Sequence, residues 1–128
     1  MKRAACFAFA TLSVSLLVTA VARADGDGGL VEQYVKLLER VGTEVDANKP
    51  DCEKIGVALS KHLTEDAATM KEVKDNRAKL TPSERKAVND FVKARYGERL
   101  KAAEAKAAPL KACQTNPKVK AYADQIMR

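Results

Sequence analysis

The chain has 128 residues, which is enough for one domain and too few for two of ordinary size. Its formal net charge is +6, but three of its 23 basic residues, Lys2, Arg3 and Arg23, lie in the first 24 positions, so the remainder carries 20 basic and 17 acidic residues. That small excess lacks the concentrated positive charge of a nucleic-acid-binding domain, and we expect no nucleic-acid partner.

The first 24 residues have the three parts of a secretory signal peptide. Lys2 and Arg3 form the basic start, and residues 4–22 form an apolar run without a charge. Ala22 and Ala24 then supply the small side chains that signal peptidase accepts. The sequence therefore predicts export, with a periplasmic or secreted mature protein.

Cleavage before Asp25 divides the chain into a signal peptide over residues 1–24, a flexible leader over residues 25–29 and a helical domain over residues 30–128. The leader is polar and rich in glycine. A permanent membrane helix is the alternative interpretation, because the apolar run is just long enough to span a bilayer. Cleavage predicts instead that no stable membrane span remains.

The first two segments of the domain have the three-and-four spacing of amphipathic helices. They cover residues 30–47 and residues 51–79, and Asp51 is the predicted N-cap of the second. Their predicted buried faces consist of Val31, Tyr34, Leu38, Val41 and Val45 in the first, and Ile55, Leu59, Leu63, Ala67, Met70 and Val73 in the second.

The third segment begins with a capping box, in which Thr81 and Glu84 can each accept a hydrogen bond from the backbone of the other. Pro82 fits the first helical position, and Pro109 is expected to kink the helix near its end. A short fourth helix starts at Asn116. The predicted buried faces are Val88, Phe91, Val92, Tyr96, Leu100, Ala103, Ala107 and Leu110 in the third, and Val119, Tyr122, Ala123 and Ile126 in the fourth.

Short connections between these segments favour an all-α fold, an antiparallel up-down bundle of about four helices. Cys52 stands 29 residues before Thr81 and Cys113 stands 32 residues after it, so an antiparallel hairpin would bring the two cysteines together. Cys6 leaves with the signal peptide and lies too early to be a lipoprotein cysteine. We therefore predict a disulfide between the second and third helices. Two free thiols or a shared metal are the alternatives, and neither cysteine has a nearby metal ligand.

His62 is the only histidine, and Asp66 follows it by one helical turn. A general base oriented by a carboxylate is one interpretation, and a partly buried histidine bonded to Asp66 is the other. No activated serine or free thiol completes a triad, so no catalytic residue is assigned and the chain is not expected to be an enzyme.

Cofactor and metal motifs are also absent from the sequence. His62 and Met70 lie on one helix face and cannot ligate opposite sides of a haem, and pairing His62 with Met127 has no supporting signal. The acidic leader lacks the spacing of a calcium loop, because Lys36 stands where a bidentate glutamate is required. We expect no cofactor and no metal.

Charged residues on the predicted helices favour solvated faces, as in the pair Glu32 and Lys36. A basic cluster near the predicted hairpin turn could meet acidic headgroups or an acidic partner, but acidic residues interrupt it and a solvated helix end is the simpler interpretation. The cluster consists of Lys71, Lys74, Arg77, Lys79, Arg85 and Lys86.

Leu80-Thr81-Pro82-Ser83-Glu84-Arg85 resembles the LTxxQ motif of Spy/CpxP-type periplasmic stress proteins, with Glu84 at the position of the family's glutamine. That resemblance covers six residues and implies an exported helical protein that binds unfolded or misfolded chains. The chain is also similar to small exported helical proteins of bacteria, a likeness that implies a location and no activity.

The sequence as a whole predicts an exported, non-enzymatic helical protein that acts by binding or as a structural component. One alternative is a chaperone-like stress protein, which requires a concave apolar patch on its surface. The other is a haem- or metal-binding bundle. A protein partner or client is possible in the first two cases, and the sequence leaves the oligomeric state open.

Overall fold

A computed structural model of the chain describes residues 29–126. The predicted signal peptide with Ala22 and Ala24, the cysteine Cys6, residues 25–28 of the leader and Met127 lie outside the described residues. The described part is all-helical and contains no strand. Its elements are α1 (Leu30–Asn48), α2 (Cys52–Ser60), α3 (Leu63–Ala78), α4 (Pro82–Ala107), a 3-10 segment (Ala108–Cys113) and α5 (Pro117–Ile126).

Side-chain caps begin three of these helices. The carboxylate of Asp51 accepts a hydrogen bond from the backbone N–H of Lys54 at 3.1 Å, as predicted for the start of α2. The Thr81–Glu84 capping box forms at the start of α4, with N···O distances of 3.1 and 3.3 Å. The amide oxygen of Asn116 accepts from the first backbone N–H groups of α5. These caps satisfy donors that the helices cannot satisfy themselves.

The predicted count of four helices is wrong, because the segment over residues 51–79 is two helices. The Ser60 hydroxyl donates to the carbonyl of Gly56 at 2.7 Å, a contact that bends helices. The backbone N–H of His62 then bonds to the Leu59 carbonyl three residues back and closes α2. A second change of geometry follows Ala107, where the chain tightens into the 3-10 segment containing Pro109, whose ring nitrogen has no hydrogen to donate.

The disulfide joins Cys52 to Cys113, with 5.3 Å between the two Cα atoms. Cys52 is the first residue of α2, and Cys113 is the last residue of the 3-10 segment. The pairing is therefore as predicted, but its position between the second and third helices is corrected. It connects α2 to the short extension of α4, because the chain changes helix type before it reaches Cys113.

Helix α1 is the central element and packs most extensively against α4. The two helices run in the same direction, since Val31 and Val35 pack around Tyr96 while Gly42 lies against Ala103 further along both. A Cβ atom on Gly42 would lie 2.8 Å from the Ala103 carbonyl oxygen, so glycine permits this close approach.

Arg99 of α4 adds an ion-pair network to this contact. Its guanidinium donates to the carboxylates of Glu32 and Glu39 on α1, at distances between 2.6 and 3.2 Å. The expected pairing of Glu32 with Lys36 on one helix face is replaced by this bond between helices. The hydrogen bonds from Arg99 lower the pKa values of both glutamates below their ordinary value of 4.5.

One half of the molecule, which we call the closed end, contains the main core. Here the second half of α1 packs with α2, α5 and the 3-10 segment, and the disulfide lies beside them. Its buried residues are Leu37, Val41, Val45, Ile55, Leu59, Cys113, Val119, Tyr122 and Ile126.

The other half, the open end, consists of the first turns of α1, the second half of α3 and α4 as far as Lys101. Helices α3 and α4 are consecutive, yet their backbones stay apart along their lengths, so they do not form the close hairpin that the sequence predicts. No side chain over residues 67–95 is buried. Within residues 29–126, we find no helix with the length and apolar character needed to cross a bilayer.

Candidate functional site

A groove lies between α3 and α4 at the open end. Helix α1 contacts both of these helices, and its first turns, with Leu30 and Val31, line the groove together with them. The volume of this α3–α4 groove is about 550 Å³. Pockets of this size are typical of sites for small ligands.

The surface inside the groove is mainly apolar. Leu30 and Val31 are each 8% exposed, whereas the other apolar lining residues are only half-buried. The sequence pattern placed most of these side chains in a closed core, and that expectation is corrected here: they line an opening. The apolar lining residues are Leu30, Val31, Tyr34, Met70, Val73, Leu80, Val88, Val92 and Leu100.

The charged residues of the groove are all basic. Asn76 and Asn89 are also present, but no aspartate or glutamate lines the groove. Within the part of the chain that the structure describes, none of the five basic side chains forms a salt bridge. The groove therefore combines an apolar surface with unneutralised positive charge, carried by Lys74, Arg77, Arg85, Lys93 and Lys101.

The basic cluster predicted from the sequence divides in two. Lys74, Arg77 and Arg85 line the groove, whereas Lys71, Lys79 and Lys86 do not. Lys86 instead bonds to the Asp90 carboxylate one turn later on α4 at 2.9 Å.

The sequence reasoning missed Lys93 and Lys101. They follow Arg85 at steps of eight residues, with Asn89 and Gly97 halfway between, so all five lie on one row of four-residue steps that winds around α4. That spacing was visible in the sequence, although it does not reveal that α3 stands away from α4.

Gly97 leaves space within the groove wall. A Cβ atom built on Gly97 would meet no heavy atom within 4 Å, in contrast to one on Gly42. Tyr34 brings a hydroxyl group to the same groove, and this hydroxyl has no hydrogen-bond partner among residues 29–126. The groove can therefore accept added volume at Gly97, and Tyr34 adds a hydroxyl group to the neutral amides of Asn76 and Asn89.

Asp66 is 2% exposed and belongs to the closed end. Its carboxylate accepts hydrogen bonds from the Arg40 guanidinium and from the Tyr122 hydroxyl, the latter at 2.6 Å. Burial and this bond to Asp66 raise the pKa of Tyr122 far above its ordinary value of 10. The three side chains connect α1, α3 and α5, so Asp66 has a structural role.

The expected bond between His62 and Asp66 does not form. His62 is the residue before α3, and its side chain makes no hydrogen bond within residues 29–126. Because Asp66 is bonded to Arg40 and Tyr122, it is not placed to orient His62 as a general base.

Residues 29–126 contain no group of three or more histidine, cysteine, aspartate or glutamate side chains that could hold a metal ion. Met70 lines the groove, whereas His62 does not. The acidic leader residues Asp25 and Asp27, considered above for calcium, lie outside the described residues.

Comparisons with family models, with curated proteins and with solved structures give no match to this chain.

Proposed function

We propose that this chain is an exported, non-enzymatic binding protein and that the α3–α4 groove is its ligand site. The observation that carries this proposal is an open groove of about 550 Å³ in which most apolar side chains are half-buried. Water in contact with such a surface is displaced favourably by an apolar ligand. The signal-like residues 1–24 and the Cys52–Cys113 disulfide support export.

The remainder of the fold is suited to holding the groove open. Helix α1 packs against both α3 and α4, and Arg99 fixes α1 to α4 through two carboxylates. Asp66 connects the first half of α3 to Arg40 on α1 and to Tyr122 on α5. A preformed site loses less conformational entropy on binding than one that must first order its walls.

The experiment uses protein purified in its oxidised form from the periplasm of an expression host, with its mass measured to locate the amino terminus. Nile red, an uncharged dye that fluoresces in apolar sites, is titrated into it. We expect saturable binding of one dye molecule per protein.

The matched variants are Gly97→Phe and Gly97→Ala. The phenylalanine ring fills the groove, so dye binding should weaken by about tenfold or more, whereas a single methyl group should change it by less than about twofold. Helical content and the disulfide are checked in both variants. Absence of saturable binding, or equal binding by the two variants, would count against the groove as the ligand site.

A second candidate function is that of a chaperone-like stress protein. Its support is the concave apolar surface that this function requires, together with Leu80, the first residue of the LTxxQ-like sequence, which lines the groove. At a one-to-one ratio, the protein should then suppress aggregation of several unrelated unfolded proteins, and Gly97→Phe should suppress less than Gly97→Ala. A protein that binds Nile red but suppresses no client is a ligand-binding protein only.

A further inference from the structure

We propose that the ligand of the α3–α4 groove is a free single-chain anionic amphiphile, such as a monomeric fatty-acid anion. This inference rests on the proposed function and adds the chemical class of the ligand. The structure offers contacts for both parts of such a ligand on one surface. The apolar side chains of the groove can contact its hydrocarbon chain, and the unneutralised basic side chains can contact its anionic head group.

The charge of the groove selects the sign of the head group. All five charged lining residues are basic, although the described part of the chain carries many acidic residues as well. Elsewhere on α4, basic side chains do have acidic partners: Lys86 bonds to Asp90, and Arg99 bonds to Glu32 and Glu39. An anionic head group would supply the counter-charge that the groove itself lacks.

The arrangement on α4 joins the two kinds of contact. Arg85, Lys93 and Lys101 recur at eight-residue steps, and apolar residues three positions after Arg85 and one position before Lys93 and Lys101 also line the groove. The basic and the apolar residues therefore form two adjacent rows that wind together around the helix. A linear molecule with a charged end and an apolar chain matches such a surface better than a compact anion does.

The size of the groove favours a small amphiphile over a protein partner. About 550 Å³ falls within the range of small-molecule sites, and the 17 lining residues are fewer than the roughly 20–30 residues that a stable protein interface uses on each partner. Once the predicted signal peptide over residues 1–24 has been removed, the segment that remains before α1 is a poor occupant of the groove. The residues just before the described part, Asp25-Gly26-Asp27-Gly28, carry no apolar side chain to cover the groove.

The test compares two ligands with the same tail and opposite heads, decanoate and decyltrimethylammonium, each kept below its micelle concentration. Calorimetric titration of the oxidised periplasmic protein should show decanoate binding at one per protein and at least about tenfold more tightly than the cationic ligand. The affinity for decanoate should fall as salt is added, because salt screens the exposed lysines.

Two triple variants locate the charge effect. Lys74→Gln with Lys93→Gln and Lys101→Gln removes three basic residues of the groove, and should weaken decanoate binding by about tenfold. The matched control, Lys71→Gln with Lys111→Gln and Lys120→Gln, removes the same net charge from exposed positions outside the groove and should change it by less than about twofold.

Three results would overturn the inference. The first is equal affinity for the two ligands while Nile red still binds and Gly97→Phe still blocks it; the groove then remains a ligand site, but not one for anions. The second is an equal loss in both triple variants. The third is tight binding to vesicles of phosphatidylglycerol and phosphatidylcholine with no binding of free decanoate, which would make the basic surface a membrane contact. If neither Nile red nor decanoate binds, the proposed function itself fails.

Discussion

The two ends of this molecule use the same kind of amphipathic helix in opposite ways. At the closed end, apolar side chains such as Ile55 and Leu59 are fully buried, and Asp66 has bonding partners on two other helices. At the open end, apolar side chains with the same helical spacing, such as Val88 and Val92, are half-buried and line a groove. The difference shows that amphipathic spacing identifies a face that avoids water without identifying what covers it.

Removing the disulfide should have the largest effect and should act through the closed end. Cys52 and Cys113 are 61 residues apart, and the chain-entropy estimate for a loop of that length is about 4 kcal/mol. A Cys52→Ser, Cys113→Ser variant should therefore melt roughly 15–30 °C below the oxidised protein. Thermal unfolding followed by circular dichroism measures this difference.

The same melting experiment with reductant added to both proteins provides the control. The wild-type protein should then melt near the temperature of the double-serine variant. If reduction leaves the melting temperature unchanged, the disulfide is not what stabilises the closed end.

Replacing Asp66 should have the next largest effect. In Asp66→Ala, the Arg40 guanidinium and the Tyr122 hydroxyl both lose their acceptor at a site that is 2% exposed, and we expect a loss of about 3–5 kcal/mol in the free energy of unfolding. Tyr122→Phe removes one of the two bonds and should cost about 1–2 kcal/mol.

Urea denaturation measures these losses, with Asp75→Ala at an exposed position of the same helix as the control. The control should unfold within about 0.5 kcal/mol of the wild type. If Asp66→Ala behaves like Asp75→Ala, the closed end does not depend on the buried carboxylate.

The substitution of glycine by alanine should change the free energy of unfolding in opposite directions at Gly42, where α1 packs on α4, and at Gly97, where α4 lines the groove. Gly42→Ala places a methyl group 2.8 Å from the Ala103 carbonyl oxygen and should destabilise the protein by about 1–2 kcal/mol. Gly97→Ala meets no atom within 4 Å and should stabilise α4 by about 0.5–1 kcal/mol, because alanine favours helix formation. Urea denaturation of both variants tests the contrast, and a loss of stability at Gly97 would show that the groove is closed.

Acidification should have the smallest effect, because the Arg99 network is partly exposed and solvent screens it. The pKa values of Glu32 and Glu39 are lowered in the folded state, so the network stabilises the protein fully above pH 4.5. Below that pH the unfolded chain takes up protons first, and the contribution is lost as the pH falls through the folded-state pKa values.

The variant Arg99→Gln isolates this contribution. The gap in melting temperature between wild type and variant should be present near pH 7 and should shrink as the pH falls below about 4.5. Lys101→Gln on the same helix, which has no salt bridge within the described residues, is the control and should show no such change. A gap independent of pH would mean that Arg99 acts by packing alone.

Much of the fold could be predicted from local sequence signals. The caps at Asp51 and at Thr81 with Glu84 depend on residues within one helical turn, and the structure has them where the sequence predicts them. The pairing of Cys52 with Cys113 was predictable because those two cysteines alone remain after the expected cleavage. The break after Ser60 was not, because an amphipathic face continues across it without interruption.

The groove could not be predicted, because it depends on a relation between helices that are distant in sequence. Spacing alone gave Val88, Val92 and Leu100 the same expectation of burial as Ile55. The predicted partner of Glu32 was wrong for the same reason: Lys36 is one turn away on the same helix, whereas the observed partner, Arg99, is on another helix. Tertiary packing decides whether α3 and α4 meet or stand apart, and local sequence patterns contain no information about that packing.

The most direct test of the contrast between the two ends is methyl NMR of the oxidised protein during a decanoate titration. The account predicts saturable shifts confined to the groove, at Met70, Val73, Val88 and Val92, with little change at Val45, Ile55 and Val119 of the closed end. Shifts spread equally over both sets, or no shifts at the groove methyl groups, would contradict the assignment of the open end as the ligand site.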